Sequence, residues 1–175
     1  MNKNVEKTEL PAFLINIDLK HNAVVINYMG RKTVININIC RGEKTGFDEE
    51  ITRLSIRSSD PVAVIPTTMI SSLWQIIFGV LNYETIRVYR PSIYEKFKNK
   101  GLLLSMLITG MPQLSDVVRI LKNEYLRSDR HYFIISLKEE YPIPDNCSDD
   151  ISELKAAGLE PGHLVKNMNN YLKFV

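Results

Sequence analysis

"PVAVIPTTMISSLWQIIFGVLNY", residues 61–83, holds no charged side chain between Asp60 and Glu84. The run is as long as the ~20 apolar residues that span a bilayer. Whether it is a membrane helix or the centre of a soluble core decides the fold. Pro66 breaks it, and residues before a proline favour extended backbone. Residues 62–65, VAVI, therefore read as a short buried strand. Thr67 or Thr68 then suits a helix cap, and the spacing predicts a helix to about Leu81. Ser71, Ser72, Gln75, Gly79 and Asn82 fall in one stripe about 100° wide, and apolar residues, Trp74 among them, fill the rest. A helix this apolar is buried or in lipid. With the strand removed it is too short for lipid, and no Lys or Arg flanks it. A buried core helix is expected, and no membrane span.

Upstream, the chain alternates with period two. Phe13, Ile15, Ile17 and Leu19 share one strand face, and Val24, Ile26 and Tyr28 mark a second strand after a turn at His21-Asn22. Gly30-Arg31 suits a tight turn with glycine first. The third strand, TVININIC, points Ile35, Ile37 and Ile39 inward and Asn36 and Asn38 outward. These strands form an antiparallel meander with one wet face. Residues 41–50 read as a polar loop and ITRLSIRS, residues 51–58, as a fourth strand.

Downstream, the pattern alternates. TIRVYR reads as a strand, a short helix surrounds residues 93–97, LLLSMLIT is an apolar run, and HYFIISL is a buried strand. The helix after Pro112 is the clearest, with Leu114, Val117, Val118, Leu121 and Tyr125 on one face. Such alternation suggests some parallel pairing. The expected architecture is one α+β domain over residues 1–175, with a possible subdomain switch near 59–61. Its N-terminal meander continues into a mixed sheet with covering helices and a C-terminal helical pair.

The 175 residues suffice for one sizeable core, and the 45% hydrophobic and 24% charged fractions are those of a globular protein. A net charge of +2 makes no global case for a nucleic-acid or membrane-surface partner. Charge is unevenly placed: residues 85–100 carry five cations against Glu95, and residues 139–160 carry seven acids against Lys155. Cys40 and Cys147 form no metal motif, and spacing does not say whether they pair. The start, MNKNVEKTELPAF, has no secretory apolar segment, so the cytoplasm is the expected compartment, with free, reduced cysteines.

The strongest binding signal is TIRVYRPSIYEKFKNKG, residues 85–101, where Arg87, Arg90, Lys96, Lys98 and Lys100 are interleaved with Tyr89 and Tyr94. Cations neutralise phosphates and aromatic rings stack on bases, although such residues also serve as ordinary core and solvated surface. In the tail, Leu164, Met168, Tyr171 and Leu172 line one face of a last helix, suited to docking on the body or on a partner. The tail resembles a helix-turn-helix in outline only, since its second helix lacks the basic residues that read DNA. Asp48, Glu49 and Glu50 read as a solvated acidic loop. No catalytic, metal-ligating or cofactor-binding set emerges from the three histidines or from any glycine-rich loop. The leading expectation is a non-catalytic interaction module, an adaptor, assembly factor or regulator that binds another protein or itself. The alternatives are a nucleic-acid-binding regulator using residues 87–100 and, more weakly, a hydrolase without a recognisable motif.

Overall fold

The computed structural model describes residues 13–18, 23–28, 30–42, 46–56, 61–137, 144–148, 151 and 154. Three strands open the chain, β1 (Phe13–Asp18), β2 (Ala23–Tyr28) and β3 (Arg31–Arg41). They pair as the expected antiparallel meander. Tyr28 pairs with Arg31, so Arg31 belongs to β3 rather than to the turn, and Gly30 before it has φ 77°. Ile35 and Ile37 are buried as alternation requires. Beyond them β3 is covered on both faces, and Asn38 and Cys40 are buried as well.

Residues 47–56 form a helix, α1 (Phe47–Ile56), where the end of a polar loop and then a strand were expected. Leu54 and Ile56 alternate, but Phe47, Ile51 and Leu54 also stand at i, i+4 and i+7, the helical period. Asp48, Glu49 and Glu50 fall in its first turn, where carboxylates complement the positive end of the helix dipole. Next comes β4 (Val62–Pro66), buried along its whole length as its sequence implies. Thr67–Met69 is a 3₁₀ turn rather than a cap, and the Thr68 hydroxyl donates to Glu124 at 2.8 Å.

Helix α2 (Leu73–Tyr89) is capped by Ser72, whose hydroxyl accepts from the Gln75 N–H. It runs well past Leu81, because nothing before Pro91 breaks it, and absorbs most of TIRVYR. Trp74 is only partly buried, packed at the edge of the core, while Ile76, Ile77 and Val80 are sealed. A short α3 (Pro91–Tyr94) follows. LLLSMLIT belongs to α4 (Lys100–Thr109), capped by Asn99 and stopped by Gly110 at φ 71°. Helices α2 and α4 approach closely at Gly79, where an added Cβ would lie 2.4 Å from the Ile108 side chain. Helix α5 (Leu114–Arg127) buries Val117, Leu121 and Tyr125 as predicted. Among the described residues, no single helix is long and apolar enough to cross a membrane.

The chain returns through β5 (His131–Ser136) and a two-residue β6 (Cys147–Ser148). Strand order is β1-β2-β3-β5-β4, with β6 also on β3, and every pairing is antiparallel. The architecture is α+β, but the expected parallel pairing is absent among the described residues. Four helices separate β4 from β5, enough chain to enter β5 from either end, so alternation of element types does not fix strand direction. Each sealed aliphatic side chain, such as Ile65, Ile134 or Leu103, contributes about 1.5–3 kcal/mol of transfer free energy.

Cys40 and Cys147 face each other across β3 and β6 and are joined by a disulfide spanning 107 residues. The expectation of free thiols is therefore corrected. The support that reduced cysteines lent to a cytoplasmic location goes with it, because disulfides persist mainly in oxidising compartments.

Candidate functional site

The basic segment folds as the end of α2, α3, a turn and the start of α4, and two of its cations, Arg87 and Lys100, find partners within the fold. Glu84 is only 7% exposed. It accepts from Arg87, whose Nε lies 3.0 Å away. The Tyr83 and Tyr94 hydroxyls meet at 2.9 Å, with their rings edge to face. Burial first, and then the hydrogen bond with Tyr94, push the Tyr83 phenol above its ordinary range. Lys100 lies 3.7 Å from the centre of the Tyr94 ring and donates to the Tyr94 carbonyl. Arg87, Tyr94 and Lys100 thus build this corner. Arg87 keeps 41% of its side chain exposed, and Lys96, Lys98, Tyr89 and Arg90 are exposed too, with Arg90 capping α2 and opening α3. The tail residues Leu164, Met168, Tyr171 and Leu172 lie outside the described residues, as do His21 and His163. Among the described residues, no three His, Cys, Asp or Glu side chains come together as a metal site.

A second corner, between α5 and β5, was not singled out by sequence. Ser128 to His131 make a tight turn closed by the His131 N–H on the Ser128 carbonyl at 3.0 Å. Its central residues, Asp129 and Arg130, have φ of 50° and 62°. Left-handed backbone is common for Asp but costly for most other side chains, of order 1–3 kcal/mol. The main chain holds the turn from both sides. The Arg130 N–H donates to the Tyr125 carbonyl at 2.9 Å, and the Gly42 N–H donates to the Arg130 carbonyl at 2.8 Å. Gly42 is required here: an added Cβ would fall 1.6 Å from the Tyr125 hydroxyl oxygen. His131 is taken up by the turn, with Nδ1 3.1 Å from the Ser128 carbonyl.

Beside this turn opens a cavity of about 530 Å³ lined by Phe47, Tyr125, Leu126, Asp48, Lys122 and Arg130 among others. Phe47 and Tyr125 form its aromatic wall, with ring centroids 5.1 Å apart. Leu126 stands at its lip, 73% exposed. Lys122 pairs with Asp48 at 2.5 Å across the rim. Behind the wall, Tyr125 packs on Tyr132, and Asn146 fastens the disulfide segment by donating to the Arg41 carbonyl at 2.9 Å and to the Tyr132 hydroxyl at 3.2 Å. The sequence signal for this corner is the connection itself. Only three residues separate α5 from β5, and none is glycine. Comparison with protein-family models, curated proteins and solved structures finds no match.

Proposed function

We propose that this chain is a non-catalytic protein-interaction module whose contact surface is the α5–β5 corner. The observation that carries this is Leu126, a large apolar side chain left 73% exposed at the mouth of an aromatic-walled cavity. Protein interfaces concentrate their energy in such pockets, where an apolar anchor is desolvated and a polar rim excludes water. Most of its lining residues stand on the helices α1 and α5, so their backbone is already ordered before binding. The basic segment 87–100 supports a nucleic-acid partner less well, because Arg87 and Lys100 are committed to internal partners. A phosphate track needs several free cations.

The test places a benzoylphenylalanine photo-crosslinker at position 126 or at position 96 in the producing cells. Discrete protein adducts are expected from position 126 and none from position 96. Nucleic-acid adducts from position 96, with retention on a DNA column that falls steeply with salt, would transfer the function to the basic segment.

A further inference from the structure

Building on that reading, we propose that the α5–β5 corner binds a peptide segment presenting an apolar side chain next to a carboxylate. The apolar group enters the cavity, and the carboxylate pairs with Arg130. If the corner is not an interaction surface at all, this assignment falls with it.

The first argument is backbone conformation. The turn uses only the main-chain N–H and C=O of Arg130, which any residue would supply. Glycine would take a φ of 62° without steric cost, so the arginine is no gain to the turn. Its side chain instead lines the cavity. A strained residue whose side chain faces a cleft is where strain and function coincide.

The second argument is charge. Three neighbouring cations already face carboxylates: Arg41 with Asp129 at 3.2 Å, Lys122 with Asp48 at 2.5 Å and Arg127 with Glu124 at 3.0 Å. Arg130 carries no ion pair among the described residues. Of these four cations Arg130 is the one without a carboxylate, and a guanidinium offers a planar fork that fits one carboxylate. Asp48 on the same rim disfavours a multiply charged phosphate. The third argument is size: about 530 Å³ lies within the ~300–1,000 Å³ of ligand-sized clefts. Its aromatic wall suits a leucine or phenylalanine side chain rather than a polar one.

The experiment pans a random decapeptide display library on the full, disulfide-intact chain and measures the selected peptides by fluorescence polarisation. They should share an apolar residue within two positions of Asp or Glu. Arg130→Gly should weaken them by about tenfold or more, while its thermal midpoint stays level or rises. Changing the peptide's acid to its amide should cost affinity against the wild type and little more against Arg130→Gly. A Lys96→Gln/Lys98→Gln variant should bind unchanged. Selected peptides without an acid, or an amide penalty equal in both proteins, would overturn the pairing with Arg130. Peptides indifferent to both Arg130→Gly and Leu126→Asp would place binding elsewhere, keeping an interaction module but sinking this pocket. Self-association abolished by Leu126→Asp would make the occupant a second copy and overturn the peptide. No selected peptide, together with no protein adduct at position 126, would remove both proposals.

Discussion

The two corners of this molecule use similar parts to opposite ends. Each is built around a buried tyrosine, Tyr83 in one and Tyr125 in the other, with cations close by. At the α2–α4 corner, Arg87 goes to buried Glu84 and Lys100 folds over Tyr94. At the α5–β5 corner the cations nearest the cavity pair along its rim, and Arg130 is held at its mouth by a costly turn. Five cations clustered along the sequence are therefore not five cations available in space. A corner without any obvious run of charge holds the better-placed one.

The largest expected effect separates the corners by what staples them. Only the second lies beside the disulfide, through Asn146 and Arg41. Replacing both Cys40 and Cys147 by alanine should cost about 2–4 kcal/mol, as for closing a long loop. Urea unfolding would measure it, and a loss under 1 kcal/mol would mean that the cross-link does not hold this corner. Next, Gly42→Ala should cost about 1–3 kcal/mol, because the Tyr125 hydroxyl must be displaced from a packed core. Adding Tyr125→Phe should restore part of that loss. Strict additivity of the two changes would show that they do not touch.

At the first corner, Arg87→Ala should cost about 1.5–3 kcal/mol by leaving the Glu84 carboxylate without its charged partner. Lys96→Gln and Lys98→Gln, both at exposed positions, should change stability by less than about 0.5 kcal/mol. Equal losses from all three would erase the distinction between a cation paired with a buried carboxylate and cations left to solvent.

The smallest effect is a pH dependence. Tyr83 is held neutral in the fold, its pKa raised above the ordinary 10 chiefly by burial. Below that pH the unfolded phenol is protonated too, so the stabilisation is complete. Above it the unfolded chain ionises first, and stability falls as pH rises. Tyr83→Phe should flatten the decline of the urea midpoint between about pH 10 and 11. An unchanged slope would assign the alkaline loss to other groups.

Much of this was legible in the sequence, and the failures have physical causes. Residues 62–65 and 131–136 read as strands because continuous apolar runs bounded by breakers leave few options. Helix α5 read correctly because its polar and apolar faces are cleanly divided. Helix α4 did not, because LLLSMLIT is apolar all round and carries no period. Asn99 before it and Gly110 after it were the usable signals. Residues 51–56 fit period two and period 3.6 alike, and the packing decided. Asn38 is buried against its polar character because β3 is covered on both faces at that point, which depends on chain returning a hundred residues later. The corner cavity was illegible for the same reason: Phe47, Tyr125 and Arg130 converge only through tertiary packing.

The cross-link has a mechanical consequence as well. Pulled by its two ends, the chain would transmit force through the Cys40–Cys147 bond and bypass residues 41–146 between them. At about 3.5 Å per extended residue, roughly 370 Å of contour length stays hidden. Helices α1 to α5 lie inside that shielded loop, while β1, β2 and nearly all of β3 lie outside it. A force spectrometer would record a short extension as the meander peels away, with the hidden length released only after a reductant cuts the bond. Any narrow pore meant to pass this chain as a single strand would meet the same obstacle.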